Sequence, residues 1–442
     1  MRRHPTDLRL EAFLLDQGDE GRAILLHLCD CERCRQRLKN GPPYRPTGIP
    51  GPDPIPPTPP LPRDHLTLGF AAALAQERFE APELFVELLR RPVGARVGLV
   101  VSDPRFRTWG VLELLIERSL ATATRDAEEA EALAALALLL VDQLDGGFYG
   151  PESLEDLRAR AWGHLANARR VRSDLHGAEQ VFASAYEHLR RGTQDPCEEA
   201  ILLDLEGSLR RDQRRFTDAS ALFRRAEELF RTSGDFHRAG RSLVNLSTVH
   251  YFAGEIEEAI SVLHRAVPLI DAEQEPRLLL CAQHNLVDYL TIAGRIPEAR
   301  RAYGETRGLY RDFAEPWVQN RRRWVRARIL RGVGKVELAE SLFLTVRDGF
   351  LAEGIPYDTA LVSLELAALY AEHGRTAELK RLAGEMLPIF TSLQIHREAM
   401  AALWFLQQAI ESERAGLGLV TAVADYLRRA QHRPELRFEA PE

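Results

Sequence analysis

The sequence predicts an all-α protein: a small helical module followed by an α-solenoid of stacked helix pairs. Three observations predict it. Gly254, Gly294, Gly334 and Gly374 recur at intervals of 40 residues, each between stretches whose apolar residues keep helical spacing. Eleven prolines between Pro42 and Pro62 separate that array from the first 40 residues. Three of the chain's five cysteines fall within eight residues, His27-Leu28-Cys29-Asp30-Cys31-Glu32-Arg33-Cys34. A chain sparing with cysteine has little reason to cluster them unless thiolates are needed together.

The first element is a helical module over residues 1–40. Leu8, Leu10, Phe13, Leu14 and Leu15 place apolar groups on one side of a helix that Pro5 can start and Gly18 can stop. The turn Gly18-Asp19-Glu20-Gly21 leads into a second helix, Arg22 to Leu28. His27 and Cys31 stand four residues apart and Cys34 follows three later, so on a helix all three side chains converge. That is metal-ligand spacing, and about 40 residues are too few for a stable apolar core without a crosslink. One structural zinc ion is the expected cofactor. Such a site takes four ligands. His4 is the first choice for the fourth, since it ties the first helix to the second. Cys29 is the alternative, although its two-residue distance from Cys31 suits joint chelation poorly. A redox role for the Cys29, Cys31 and Cys34 cluster, in which oxidation ejects zinc and releases a partner, is the sharper variant; packed side chains without metal are the plainer one.

The pattern His4-Pro5-Thr6, an amphipathic helix, a Gly/Asp/Glu turn and His27-Leu28-x-x-Cys31-x-x-Cys34-Arg35 resembles the zinc-finger domain of bacterial zinc-binding anti-sigma factors. The resemblance covers roughly the first 40 residues. It implies a His-x3-Cys-x2-Cys zinc site with one further His or Cys upstream. It also implies helices around the zinc that clamp a sigma factor away from RNA polymerase.

Residues 41–63 read as a semi-rigid linker, because so proline-rich a chain favours extended polyproline II and builds no core. A docking peptide for a proline-recognising domain is the alternative. Residues 64–150 form a leading helical section: Leu68 to Arg78, Pro82 to Arg91, Arg105 to Ala121 and Asp126 to Leu144. The last is rich in Ala and Leu and is expected to be buried on much of its circumference.

Residues 151–442 carry the repeats. The glycines suit helix ends that need a left-handed residue. The register gives packing triplets in the second helix of each pair: Ala178/Phe182/Ala185, Ala219/Phe223/Ala226, Ala259/Leu263/Ala266, Ala299/Tyr303/Thr306, Ala339/Phe343/Val346, Leu379/Ala383/Met386 and Leu419/Val423/Tyr426. In the first helices it gives, among others, Trp162/Leu165/Ala166, Leu243/Leu246/Ser247, Leu366/Ala367/Tyr370 and Leu403/Leu406/Ile410. This resembles the tetratricopeptide pattern, stretched to 40 residues, with HEAT-like pairs as the alternative. The resemblance implies a concave face that binds proteins or peptides. Offsets from the packing anchors select Arg160, Asn167, Arg170, Arg211, Arg241, Tyr251, His284, Arg321, Trp324, Arg328 and Arg331 for that face. Arginine forks pair with carboxylates and Trp324 can take an apolar side chain, so an acidic peptide or protein tail is the expected guest. An ordinary solvated face, with ion pairs to neighbouring Glu and Asp, is the plain alternative.

The chain is 442 residues long with 45% hydrophobic and 28% charged residues, as in a soluble globular protein. A net charge of −7 argues against broad nucleic-acid binding. No apolar run approaches the roughly 20 residues needed to span a bilayer, no signal peptide is evident, and five cysteines make no disulfide scaffold. A cytoplasmic location is expected, with Cys197 and Cys281 as buried thiols. No phosphate loop, nucleophile elbow, His-Glu-x-x-His or dinucleotide fingerprint occurs, so an enzyme is not expected. Two functions compete: a regulator whose module holds a sigma factor or related partner, and a scaffold whose zinc merely folds the N-terminus while the repeats assemble a complex or self-associate.

Overall fold

The computed structural model describes residues 4–14, 20–40, 66–392, 406, 410, 417–430 and 436–439. Among them every regular element is a helix, so the all-α class is the observed one. The linker over 41–63, the turn residues Gly18 and Asp19, and Leu15, Leu403 and the Met386 side chain lie outside the described residues. The chain divides into two compact units, Met1–Gln213 and Arg214–Glu442.

The first unit is built around one helix. It contains α1 (Asp7–Leu14), α2 (Gly21–Asp30), α3 (Glu32–Asn40), α4 (Leu66–Leu89), α5 (Val93–Ser102), α6 (Trp109–Thr122), α7 (Ala127–Val141), α8 (Gly146–Tyr149), α9 (Pro151–Val171), α10 (Leu175–Leu189) and α11 (Pro196–Asp212). The Asp126 side chain accepts from the Glu128 and Glu129 amides and so starts α7. From Ala130 to Val141 every residue of α7 is buried, which its Ala/Leu-rich composition predicts. The helices α2, α5, α6 and α9 cover it.

The three N-terminal helices do not stand alone. Leu10, Phe13, Ile24, Leu25 and Leu28 join one apolar cluster with Val97, Leu133, Leu136 and Leu140. The missing core of so short a module is thus supplied by the helices behind it. Charge reinforces the docking. Arg22 of α2 pairs with Glu128 and with Glu131 of α7, and Glu131, only 2% exposed, is also met by Arg169 and Arg172. Arg35 reaches Asp142 at 3.1 Å. At Gly94 in α5 an added Cβ would stand 1.7 Å from the Phe13 carbonyl oxygen, so the end of α1 can approach only a glycine there.

Three sequence expectations change here. The first two helices of the leading section are one, because Pro82 is accommodated inside α4 on an exposed side, where the freed carbonyl can face solvent. The stretch 93–102, for which no helix was predicted, is α5. Residues 105–121 split into a short 3-10 turn, Pro104–Phe106, and α6, whose start is fixed by the Thr108 hydroxyl accepting from the Val111 amide.

The second unit holds the helices of the later repeats: α12 (Phe216–Thr232), α13 (Phe236–Ala253), α14 (Ile256–Ala266), α15 (Pro276–Ile292), α16 (Ile296–Thr306), α17 (Pro316–Gly332), α18 (Val336–Ala352), α19 (Pro356–Glu372), α20 (Thr376–Ser392) and α21 (Leu417–Ala430). From α17 to α20 the 40-residue period is two seventeen-residue helices with three-residue connections, whereas α14 and α16 are eleven residues long and are followed by a 3-10 turn and a longer connection. The glycines end the first helix of each pair in the left-handed region, at φ 86° for Gly254, 73° for Gly294, 77° for Gly334 and 66° for Gly374. The predicted anchors are core residues: Ala219, Phe223, Ala259, Leu263, Ala299, Ala339 and Phe343 are all fully buried. Pro276, Pro316 and Pro356 open successive first helices at the N1 position, a second 40-residue signal. Cys281, expected to be buried, is exposed, because it falls between the buried Leu280 and Ala282 and the helical turn carries it outward; Cys197 is half-buried.

Candidate metal centre and repeat-face residues

His27 and the cysteines are brought together by a break in the helix. The spacing of His27, Cys31 and Cys34 suits one continuous helix, although the expected second helix runs only from Arg22 to Leu28. Instead α2 ends at Asp30, Cys31 is extended at φ −129° and ψ 93°, and α3 begins at Glu32. The Cys31 carbonyl accepts from the Cys34 and Arg35 amides, so the residue that leaves one helix starts the next. Arg35 Nη1 donates to the Leu28 and Cys29 carbonyls at 2.9 and 2.6 Å, satisfying the open C-terminal end of α2. Arg37 does the same for the N-terminal strand of chain: its Nη1 donates to the Pro5 carbonyl at 2.8 Å and its Nε to Asp7 at 2.9 Å. That places His4 over the break.

One donor atom from each of His4, His27, Cys31 and Cys34 lies within 4.8 Å of all the others. His4 Nδ1 is 3.4 Å from Cys31 Sγ and 3.5 Å from Cys34 Sγ, and His27 Nε2 is 3.3 Å from Cys34 Sγ. Tetrahedral zinc, with bonds of about 2.0–2.1 Å to nitrogen and 2.3 Å to sulfur, requires edges of roughly 3.3–3.8 Å. The two-histidine, two-cysteine donor set fits that ion in number, type and spacing. Cys34 is fully buried, and burial, followed by its neighbour Cys31, pushes its thiol above the ordinary value.

Cys29 is not part of this group. Its side chain turns to the other face of α2, 3% exposed, with Sγ 3.5 Å from the Leu25 carbonyl and 3.6 Å from the Ala135 carbonyl of α7. Burial raises its thiol far above the ordinary value. Neither the alternative ligand nor the accessible redox thiol suits that position. Cys29 still lies on α2 and turns toward α7, whereas Cys31 is the extended residue at the break.

On the repeat face, the predicted arginines already hold carboxylates. Within the first unit, Arg160 pairs with Glu198, Arg170 with Asp212 and with the buried Asn167, and Arg211 with Asp212. Within the second, Arg241 pairs with Glu275, Arg321 with Asp358 at 2.5 Å, Arg331 with Glu372 at 2.5 Å, and Arg328 with both Glu365 and Asp288. Most partners lie one repeat on, so the arginines tie successive first helices together. The sequence reading offers ion pairs with neighbouring Glu and Asp as the plain alternative but names none of these acids, whose signal is a carboxylate about one period after most of the arginines. Trp324 is no open platform either: it is 6% exposed, with the Arg328 guanidinium 4.4 Å over its ring and Phe350 against its edge at 5.5 Å.

Five predicted face residues nevertheless surround one cavity of about 240 Å³: Tyr251, His284, Arg321, Trp324 and Arg328. Phe252, Tyr289, Asp288, Asp358 and Arg428 complete its charged and aromatic lining. Tyr251 and Tyr289 are stacked at 4.7 Å. His284 Nδ1 lies 2.6 Å from the Tyr310 hydroxyl, and burial lowers its pKa to about 4, leaving the ring neutral at physiological pH.

No family model matches the chain, and no curated protein matches it. Among solved structures it is similar to a Rap protein complexed with Competence and Sporulation Factor, with a TM-score of 0.51 and 13% identity over 74% of this chain and 88% of that one. The likeness is one of fold. Aspartyl phosphate phosphatase F from Bacillus subtilis aligns with a TM-score of 0.48 and 13% identity, over 89% of this chain and 96% of that one. The likeness to the Rap protein covers the fold alone, and the residues of the His/Cys group and the cavity are read on their own chemistry. No helix among the described residues is long and apolar enough to cross a membrane.

Proposed function

We propose that this chain is a cytoplasmic regulatory protein that binds a protein partner, with a sigma factor as the candidate for the N-terminal module and an acidic peptide or protein for the helical repeats. In this reading residues 1–40 form the module and 41–63 its linker. The observation that carries it is the convergence of His4, His27, Cys31 and Cys34 across the α2–α3 break. Zinc held there crosslinks three short chain segments and so fixes α1 to α3 in one arrangement. The exposed Leu8 gives the module an apolar side chain available to a partner.

The scaffold reading keeps one observation in its favour. Leu25 and Leu28 of α2 are used against α5 and α7, so part of the module's apolar face serves its own chain.

Metal analysis of the full-length protein tests the first step. One zinc per chain is expected, lost in His27→Ala, Cys31→Ala and Cys34→Ala, weakened in His4→Ala and retained in Cys29→Ala. A metal-free protein, or zinc that survives Cys34→Ala, rules the site out. Capture of a sigma factor by the wild type but not by zinc-free Cys31→Ala supports regulation; equal capture of other partners by both supports the scaffold.

A further inference from the structure

The cavity of the second unit is lined by charged groups that are all paired, but not equally tightly. Its lining carries three guanidiniums, Arg321, Arg328 and Arg428, against two carboxylates, Asp288 and Asp358, with Glu365 behind. The three cations are not equally committed. Arg328 is 9% exposed and holds two carboxylates at once, Asp288 and Glu365, so it belongs to the framework. Among the described residues Arg321 has one carboxylate contact, with Asp358, and it keeps 41% of its side chain exposed. Arg428 holds the exposed Asp425 on its own helix and stands 3.8 Å from Glu365, beyond hydrogen-bond range.

Two further donors lie in the same wall. Trp324 Nε1 and Arg428 Nε are buried and donate to no acceptor among the described residues. An unmet buried donor is costly, and either atom is satisfied only when an oxygen acceptor comes within reach of it. The rest of the lining mixes aromatic and aliphatic groups, Tyr251, Phe252, Tyr289 and Leu361, with the polar Thr248, Asn285 and His284. At about 240 Å³ the cavity is smaller than the roughly 300–1,000 Å³ of drug-sized sites, so it holds a small group and not an extended chain.

From these features we infer that this cavity is a binding site for a carboxylate borne on a compact apolar group, received between Arg321 and Arg428 with the apolar part against Tyr251, Tyr289 and Leu361. Guanidinium forks match carboxylate geometry, and the aromatic wall supplies apolar burial. Two sources offer that chemistry: a free small organic acid, and the C-terminal carboxylate of a peptide ending in an apolar residue. The inference deepens the reading of the repeats as the receiving part of a regulator, but it does not depend on the N-terminal metal.

Calorimetric titration of the full-length protein with 3-phenylpropionate and with N-acetyl-Ala-Phe, each beside its carboxamide, tests it. At least one carboxylate is expected to bind saturably, and its amide at least tenfold more weakly. The tighter of the two acids identifies the source. Arg321→Gln and Arg428→Lys should each weaken binding about tenfold. Trp324→Phe, which keeps a ring but removes the donor, should weaken it several-fold. Thermal melting of each variant reports whether the fold is kept, and the conservative Arg428→Lys carries the test if Trp324→Phe fails to fold. Amides that bind as well as acids, no saturable binding by either acid up to 10 mM (a ceiling of about −3 kcal/mol), or undiminished binding by Arg428→Lys overturns the inference. Zinc content measured on the same preparation keeps a failure here separate from a failure of the N-terminal site.

Discussion

Arg214 occupies the position that Gly254, Gly294, Gly334 and Gly374 hold in the later repeats, and it adopts the same left-handed backbone at φ 64°. An L-residue pays a steric cost there that glycine does not, about 1–2 kcal/mol before the greater freedom of glycine in the unfolded chain is subtracted. Arg214→Gly is therefore expected to stabilise the protein by about 0.5–1 kcal/mol, read as a higher urea midpoint at unchanged slope. An unchanged or lower midpoint would mean that the interactions of the Arg214 side chain outweigh its backbone strain. The same residue explains where the repeat was hard to see. Glycine marks the period from 254 onward, whereas at 214 the backbone conformation is kept with a residue that no glycine pattern finds.

At the scale of elements, α5 is the instructive case. Its composition, with Gly94 and Gly98 diluting a short apolar run, gives no helical periodicity, yet it packs with α1, α2 and α7. The glycine that hides the helix is the residue that lets α1 dock. Gly94→Ala would place a Cβ 1.7 Å from a backbone oxygen, which no side-chain rotation relieves, so α1 must move. A loss of about 2–4 kcal/mol is expected, in the range of overpacked buried sites, measured by urea unfolding. A loss under about 0.5 kcal/mol would show that α1 is only loosely docked. The other elements divide by the same logic. Helices with an acidic or hydroxyl cap and a long periodic run, such as α7 and α13, were legible from sequence. The Cys31 break was not, because the i, i+4, i+7 spacing of His27, Cys31 and Cys34 satisfies a straight helix as well as a broken one. The acids that hold Arg321 and Arg328 were also hidden, since pairing across a repeat depends on the register between helices, which no local pattern encodes.

For the whole molecule, the consequence of the metal reading concerns where its effect stops. The N-terminal helices bury Leu10, Phe13, Leu25 and Leu28 in the cluster that contains α7, so the core of the first unit includes them. The second unit has its own clusters, one around Leu243, Leu263 and Leu290 and one around Phe343, Leu364 and Leu366. Removing the crosslink would free the His4 segment and the α2–α3 break, whereas the Arg22–Glu131 and Arg35–Asp142 pairs and the apolar contacts of α2 remain. Hydrogen exchange with and without a strong chelator should therefore show faster exchange over residues 32–40, a smaller change over Gly21–Asp30, and none in the helices of Arg214–Glu442. Unchanged exchange over 32–40 would mean that packing and the Arg35 and Arg37 hydrogen bonds hold α3 without any metal. Exchange that rises through α7 as well would make zinc a support of the entire first unit, because the buried Glu131 could not keep three arginines around it once α2 had left.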